Sequence, residues 1–228
     1  MPVYQLVDDL IFPPPDHAES GGILAVGGDL SPRRILLAYS MGIFPWYSNG
    51  EPILWWSPDP RCILKLSEFQ INRSLAKELR RRRFHITFDQ AFPDVIRACA
   101  ETPRKESGTW LTQDMLKAYN LLHTLGYGHS VEAWYEGCLV GGLYGVCLGG
   151  CFFGESMFHR MSNASKVAFA TLVHRLSLLG YSLIDCQQPS QHVLSLGAKE
   201  IPRADFLRLL EQAGIHPSTL PVKGPFPS

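Results

Sequence analysis

The stretch from residue 128 to residue 188 constrains the fold of this chain more than any other part. It begins with three short runs rich in Val, Tyr, Phe and Cys, HSVEAWYEG, CLVGGLYGVCLGG and CFFGESMF, with turn signals at Glu136-Gly137 and Gly149-Gly150. Such runs predict antiparallel strands joined by tight turns. A long apolar helix and a further strand, YSLIDCQ, come next, so that the helix crosses between two strands of one sheet. The sequence therefore predicts an α+β fold with a mixed, largely antiparallel sheet flanked by helices.

The first 60 residues differ in composition from the rest of the chain. Pro, Gly and aromatic residues interrupt this part too often for long elements. One helix is predicted from the Ser31-Pro32 start through about Met41, because Ser caps helices and Pro suits their first turn. We therefore expect a small, irregular, Trp-rich N-terminal domain over residues 1–60 and a catalytic domain over residues 61–228.

Composition narrows the class of protein further. Lys plus Arg number 21 and Asp plus Glu number 21, so any nucleic-acid binding must come from an uneven distribution of charge. The acidic N-terminus does not resemble a signal peptide, and no stretch reaches the ~20 apolar residues that span a bilayer. The six cysteines form no C-x-x-C pair and fit no disulfide pattern of small domains. We expect a soluble, cytoplasmic protein with reduced, buried thiols.

Glu155 follows the run CFFG at the end of an apolar strand. A charged side chain is costly there unless it has a partner or reaches water. One interpretation is a solvated strand end. The other is an enclosed carboxylate, because Met157 and Phe158 resume the apolar run. An enclosed carboxylate could hold a substrate ammonium group or have its pKa raised for proton transfer.

The strand YSLIDCQ carries an acid and an amide on one predicted face. Alternation along the strand sends Leu183, Asp185 and Gln187 to the same side of the sheet. The amide oxygen of Gln187 could then accept a hydrogen bond from an attacking amine, while the Asp185 carboxylate accepts from the amide NH2 group and orients it. The alternative is a satisfied polar pair at a sheet edge.

Basic charge is concentrated in the segment INRSLAKELRRRR, which has helical spacing with Asn72 as its cap. A solvated helix face is one interpretation, and a salt-sensitive contact with the phosphate backbone of a nucleic acid is the other. We call these cations the basic stripe: Arg73, Lys77, Arg80, Arg81, Arg82 and Arg83, of which helical spacing aligns the first four.

Four tryptophans occur in a rather short stretch of the sequence: Trp46, Trp55, Trp56 and Trp110. Most tryptophans pack in a core or an interface, and one or two of these could instead stack on a base.

Several well-known catalytic and metal-binding motifs are absent from the sequence. No motif of a serine hydrolase, a zincin, a P-loop ATPase or a structural zinc site occurs, so no metal is expected.

Three long blocks give a more specific indication. They are GGILAVGGDLSPRRILLAYSMGIFPWYSNGEPILWWSPDPR, GGLYGVCLGGCFFGESMFHRMSNASK and LIDCQQPSQHVLSLGAKEIPR, in this order along most of the chain between Gly21 and Arg203. Together they resemble the signature blocks of the bacterial leucyl/phenylalanyl-tRNA-protein transferase family. The resemblance implies a small N-terminal domain followed by a domain with the GNAT-like acyltransferase fold.

The resemblance also implies an activity. Members of the family move Leu or Phe from tRNA to the N-terminal α-amine of proteins that begin with Arg or Lys, and the product carries a signal for proteolysis. Leucyl-tRNA or phenylalanyl-tRNA is then the co-substrate, and neither ATP nor CoA nor a metal is expected. An apolar pocket separates side chains by only ~1–3 kcal/mol per methylene, so Met is a reasonable third donor. We expect a monomer that has no contact with a membrane.

Individual residues follow from the same resemblance. It implies that Asp185 and Gln187 help the acceptor amine to lose its proton, and that Glu155 binds the substrate ammonium group. Trp46 and Trp110 lie around the terminal adenosine of tRNA, and the basic stripe holds the acceptor stem. The implied pocket for the donor side chain consists of Leu143, Phe152, Phe169, Leu172 and Ile184.

Three alternatives stay open at this point. An acyl-CoA-dependent acetyltransferase would need a glycine-rich pyrophosphate loop, and the corresponding segment, RMSNASK, has no glycine. An enzyme that extends a peptidoglycan precursor would use aminoacyl-tRNA with a different acceptor. A non-catalytic RNA-binding module would use the basic stripe and leave Asp185 with a structural role.

Overall fold

The computed structural model describes residues 3–102 and 111–227, and the strands of these ranges form two sheets. The smaller sheet consists of β1 (Tyr4–Leu6), β2 (Ile23–Gly27), β3 (Phe44–Pro45) and β4 (Leu54–Trp56), in the spatial order β1-β2-β4-β3. The sequence predicted one helix and no long elements in this part, which the structure confirms. The four strands were not predicted, because strands of two to five residues between Pro and Gly are too short to show a period.

The larger sheet confirms the predicted mixed architecture. Its neighbouring strands are antiparallel except β9 and β10, which are parallel. The predicted turns at Glu136-Gly137 and Gly149-Gly150 join β7, β8 and β9. The seven strands are β5 (Arg61–Lys65), β6 (His85–Phe88), β7 (Gly128–Tyr135), β8 (Cys138–Leu148), β9 (Cys151–His159), β10 (Leu183–Gln187) and β11 (Lys199–Ile201), in the spatial order β11-β5-β10-β9-β8-β7-β6.

Side-chain caps fix the starts of three helices, among them the predicted caps Ser31 and Asn72. Ser31 accepts a hydrogen bond from the backbone N–H of residue 34, Asn72 from that of residue 75, and Thr112 from that of residue 115. The helix between β9 and β10 makes the predicted crossover. The α-helices of the described residues are α1 (Pro32–Ser40), α2 (Arg73–Arg81), α3 (Phe92–Glu101), α4 (Gln113–Thr124), α5 (Ala164–Leu178), α6 (Gln191–Leu194) and α7 (Arg203–Gln212).

Neighbouring side chains on β9 divide the core between the two faces of the larger sheet. Phe153 belongs to a cluster with residues of α1, α3 and α4, whereas Phe152 belongs to a second cluster with residues of α5. The ring of Tyr39 on α1 lies 5.1 Å from that of Phe153. The first cluster thus contains residues from both sides of the predicted domain boundary at residue 60, which stays a prediction.

Two further expectations concern cysteines and membranes. All six cysteines are free, and four are buried as expected. The expectation of burial was wrong for Cys138, which starts β8 after an exposed turn, and for the half-buried Cys186. In the part of the chain that the structure describes, no helix has the length and apolar character needed to cross a membrane.

Candidate active site

Two β-bulges on neighbouring strands build the centre of the site. On β9, Gly154 and Ser156 pair with consecutive residues of β8, so Glu155 between them is the extra residue. On β10, Cys186 is the extra residue between two positions that pair with consecutive residues of β5. Bulges leave a residue unpaired and turn nearby side chains away from the regular alternation. The glycine opposite the first bulge, Gly145, is required because a Cβ there would overlap the carbonyl of Phe153.

The carboxylate of Glu155 accepts three hydrogen bonds from different parts of the chain. Tyr39 of α1 donates to Oε1 at 2.6 Å, and Tyr119 of α4 donates to Oε2 at 2.9 Å. The side-chain amide of Gln187 on β10 donates to Oε1 at 2.8 Å. The two open interpretations of Glu155 are therefore decided in favour of the partnered, enclosed carboxylate.

Sequence reasoning missed both tyrosines. Tyr39 and Tyr119 are fully buried, and their hydroxyl oxygens lie 2.5 Å apart. Burial, reinforced by the negative charge of Glu155, raises the pKa of both tyrosines well above the usual range, so both stay protonated. A buried Tyr hydroxyl requires a hydrogen-bond partner. The sequence therefore indicated that a buried tyrosine would have a partner, but it did not indicate which residue.

Glu155 titrates close to neutral pH. Burial raises its pKa to about 7, against the hydrogen bonds from Tyr39 and Tyr119, which favour the charged form. The nearby charge of Asp185 raises this pKa as well, and the hydrogen bond from Gln187 lowers it. A carboxylate with a pKa near 7 can both accept and release a proton at physiological pH.

Asp185 is fully buried and forms an ion pair with Arg61. The guanidinium Nε and Nη2 lie 2.9 and 2.6 Å from the two carboxylate oxygens. Arg61 is itself buried between the rings of Phe44 and Phe206, at 4.7 and 4.6 Å from their centroids. Sequence reasoning missed Arg61, because no local pattern distinguishes it from a surface arginine at a strand start.

The predicted bond between Asp185 and the amide NH2 group of Gln187 was wrong. Asp185 Oδ1 instead accepts from the backbone N–H of Gln187 at 2.9 Å, and the amide NH2 group donates to Glu155. The bulge at Cys186 gives Gln187 a φ of 61°, in the left-handed region, and turns its side chain away from Asp185. The expected alternation fails at this point.

An apolar cavity of about 540 Å³ opens beside Glu155. Its wall includes four residues of the predicted donor pocket: Leu143, Phe152, Phe169 and Ile184. The assignment of Leu172 to the wall was wrong. Leu172 lies one turn beyond Phe169 on α5, is fully buried in the core cluster of that helix, and is not part of the cavity lining.

A second cavity of about 510 Å³ meets the first at Glu155. Trp46 and Gln187 line only this second cavity. Trp46 is partly exposed, and its ring lies 5.4 Å from that of Trp56, which donates to the Trp46 carbonyl at 2.6 Å. Trp110, the second tryptophan predicted to contact adenosine, lies outside the described residues.

The basic stripe is exposed except at its end. The helix stops at Arg81, and Arg82 follows in a left-handed conformation, so the six cations do not share one helical face. The buried Glu78 lies 3.9 Å from Arg81 and 3.3 Å from Arg83 and so neutralises part of this charge. Among the described residues no ion pair involves the remaining cations, which are Arg73, Lys77, Arg80 and Arg82.

Residues 3–102 and 111–227 contain no group of three or more His, Cys, Asp or Glu side chains arranged to hold a metal ion. The polar centre of the site therefore consists of Glu155, Gln187 and the Arg61–Asp185 pair. It lies where the pairing of the parallel strands β9 and β10 ends, between the apolar cavity and the cavity that Trp46 lines. This position suits transfer of an apolar acyl group to an amine.

The mixed α+β fold and this site are those expected of an acyltransferase. Two sequence models assign the chain more narrowly. The one described as leucyl/phenylalanyl-tRNA protein transferase matches residues 63–211, and the one described as the N-terminal domain of the same protein matches residues 28–59. The chain belongs to the leucyl/phenylalanyl-tRNA protein transferase family and is an aminoacyltransferase. This membership favours aminoacyl transfer over the acyl-CoA-dependent and non-catalytic alternatives.

Whole-length relatives agree with this assignment. The chain is 76% identical over 229 residues to a leucyl/phenylalanyl-tRNA–protein transferase of Syntrophotalea carbinolica, with 100% of both chains covered. It is 57% identical over 213 residues to one of Desulfatibacillum aliphaticivorans, covering 93% of this chain and 91% of that one. Among solved structures, a GCN5-related N-acetyltransferase from Kribbella flavida is similar with a TM-score of 0.39 and 10% identity, covering 71% of this chain and 58% of that one.

Proposed function

We propose that this chain transfers Leu or Phe, and also Met, from aminoacyl-tRNA to the N-terminal α-amine of proteins that begin with Arg or Lys. The product is a peptide bond and a protein marked for degradation by the N-end rule pathway. The observation that carries the proposal is the position of Glu155, a carboxylate with a pKa of about 7 at the junction of an apolar and a Trp-lined cavity.

The two cavities suggest how the donor binds. The apolar side chain of the amino acid enters the first cavity, against Leu143, Phe152, Phe169 and Ile184. The terminal adenosine occupies the second cavity beside Trp46, whose exposed ring offers a stacking surface. The ester that joins them then lies beside Glu155 and Gln187, where the acceptor amine arrives.

The reaction needs one proton to leave the acceptor ammonium group before the nitrogen attacks the ester carbonyl. In our proposal Glu155 accepts this proton, because its pKa of about 7 is close to the ~8 of an α-ammonium group. The new C–N bond forms, the bond between the carbonyl carbon and the ribose oxygen breaks, and a proton from the nitrogen passes to that oxygen. Placement of amine against ester supplies much of the acceleration.

Gln187 and Asp185 have different parts in this mechanism. The NH2 group of Gln187 is engaged by Glu155, so its carbonyl oxygen is the group that accepts a hydrogen bond from the amine. Asp185 is buried and holds the backbone of Gln187, so it positions this residue without touching the substrate. This assignment differs from a direct role of Asp185 in proton removal.

The partners follow from the reaction. Leucyl-tRNA and phenylalanyl-tRNA are the donors, and their acceptor stem binds the basic stripe. No ATP is needed at this step, because an activated ester is converted into a more stable amide. The proposal gives no part to CoA or to a metal. The enzyme acts as a monomer in the cytoplasm, where aminoacyl-tRNA is made.

Transfer of labelled leucine tests the proposal directly. The purified protein is incubated with labelled leucyl-tRNA and two reporter proteins that differ only in the first residue, Arg or Met. We expect label on the Arg reporter alone. Label on neither reporter, or equal label on both, contradicts the proposal, and label on a peptidoglycan precursor in place of the reporter would favour that alternative acceptor.

A further inference from the structure

Three cationic or potentially cationic side chains stand around the apolar cavity near the start of α5. We call Lys166, His159 and His192 the cationic rim, and all three line the cavity. None of them takes part in an ion pair within the described ranges. Burial lowers the pKa of His192, and the positive charges of Lys166 and His159 lower it further. The rim thus places one permanent cation, Lys166, and two imidazole rings at the cavity, and no ion pair within the described residues neutralises Lys166.

Two polar side chains at the rim have no hydrogen-bond partner among the described residues, and one of the two atoms is fully buried. Ser165 lines the cavity and is 5% exposed, and no hydrogen bond of its hydroxyl occurs in the part of the chain that the structure describes. Nε2 of His192 is buried and has no partner either. A buried polar group without a partner costs about 1–3 kcal/mol, so Nε2 of His192 points to a ligand that completes it. The Ser165 hydroxyl at the cavity wall is available to the same ligand.

The start of α5 adds a further source of positive potential. This 15-residue helix begins after Asn163, whose side chain caps no backbone N–H group. The Asn163 side chain donates instead to Glu78 at 3.2 Å. An uncapped helix start exposes partly positive N–H groups, which favour an anion.

From these observations we propose that the cationic rim and Ser165 bind a backbone phosphate of the single-stranded 3′ end of the donor tRNA, the one on the 5′ side of the terminal adenosine. This inference rests on the proposed function. The donor is the substrate that carries anions, whereas the acidic groups of the cavity, Glu155 and Asp185, lie at the catalytic end and are held by the tyrosines and by Arg61.

Continuity with the basic stripe supports this assignment. Arg83 donates to the carbonyl of Ser162 at 3.4 Å, and Glu78 of α2 accepts from Asn163. Ser162 and Asn163 line the cavity next to Lys166. The surface from the exposed cations of α2 to the rim is therefore one continuous path, along which a nucleic-acid strand can reach the catalytic centre.

Small donors that differ by one phosphate test the inference. Leucyl-adenosine has no phosphate, and the leucyl dinucleotide CpA has one, on the 5′ side of the terminal adenosine. Each is used with wild type, with Lys166→Met and with Ser165→Ala, while Lys117→Met serves as a control, because Lys117 is exposed on α4 and lines neither cavity. The KM of the acceptor peptide is measured in the same variants.

We expect the wild type to have a KM for leucyl-CpA roughly tenfold below that for leucyl-adenosine, as one charge-assisted contact would give. Lys166→Met should bring this ratio close to one, and Ser165→Ala should reduce it about threefold. The control should keep the wild-type ratio, and the acceptor KM should not change in any variant.

Other results overturn the inference in distinguishable ways. A ratio that survives in Lys166→Met, or a KM that rises equally for both donors, shows that the rim does not bind this phosphate. A change confined to the acceptor KM would assign the rim to the acceptor. If wild type transfers leucine from neither donor nor from leucyl-tRNA, the proposed function itself fails.

Discussion

The side-chain amide of Gln187 donates a 2.8 Å hydrogen bond to Oε1 of Glu155, across two parallel strands that a helix separates in the sequence. Tyr39 donates to the same oxygen and Tyr119 to the other one. This network fixes the carboxylate. In the proposed mechanism it leaves the carbonyl oxygen of Gln187 to accept a hydrogen bond from the incoming amine.

Replacement of Glu155 by Gln should lower kcat by about 100-fold or more, because general-base catalysis contributes about 10²–10⁴-fold. The amide has nearly the same shape and can still accept a hydrogen bond, so the fold should be retained. Single-turnover transfer from leucyl-tRNA measures the effect, and circular dichroism checks the fold. A folded variant with less than a threefold loss would exclude Glu155 as the base.

The rate of transfer should depend on pH through Glu155. The base is active when deprotonated, so kcat/KM should rise with pH through about 7, the pKa of this carboxyl group. Tyr119→Phe removes a hydrogen bond that favours the charged form, so the pKa should increase and the profile should shift to higher pH. Tyr127→Phe is the matched control, since its hydroxyl donates to the carbonyl of Pro221 outside the site. An unchanged profile in Tyr119→Phe would mean that another group controls the rate.

The contribution of the Arg61–Asp185 pair should appear in stability. Arg61→Met leaves a buried carboxylate unpaired and should reduce the free energy of unfolding by about 3–5 kcal/mol. Urea unfolding measures this change, and the double variant with Asp185→Asn should recover part of it. Arg97→Met is the control, because the exposed Arg97–Asp94 pair contributes less than about 1 kcal/mol. A loss no larger than that of the control would contradict the buried pair.

Local sequence patterns predicted the elements of this fold better than the contacts of its site. The meander of β7, β8 and β9 was visible because residues close in sequence form its turns. The network around Glu155 was not, because its donors lie 116 residues before it, in Tyr39, and 32 residues after it, in Gln187. Arg61 and Asp185 are 124 residues apart. No periodic pattern in one sequence relates such positions.

The alternation of side chains along a strand also gave a wrong prediction at Asp185 and Gln187, two residues of the site. It places Asp185 and Gln187 on one face only if the strand is regular, and a single extra residue at Cys186 changes the outcome. Leu172 was misassigned for a related reason. Its position on α5 directs it into the core behind the cavity. In the sequence, an apolar residue of the core looks the same as an apolar residue of the cavity wall.

The shape of the apolar cavity should set donor preference. Leu143→Phe makes the cavity smaller and should lower kcat/KM for phenylalanyl-tRNA by roughly tenfold more than for leucyl-tRNA. Leu172→Met conserves volume away from the cavity and should leave the ratio of the two donors unchanged. Competition between the two labelled donors measures this ratio. An equal loss for both donors in Leu143→Phe would indicate a general disturbance rather than a smaller pocket.

The exposed cations of α2 should act on the tRNA body and not on the chemistry. Arg80 has no ion-pair partner among the described residues, so Arg80→Glu should raise KM for leucyl-tRNA and leave KM for leucyl-adenosine unchanged. Each lost contact with duplex phosphate should reduce the slope of log KM against log salt by about 0.9. Lys117→Glu, an equal change of charge on α4, should leave both the KM and the slope near wild type. If Lys117→Glu weakens binding as much as Arg80→Glu, the effect comes from net charge alone and the basic stripe is not the contact.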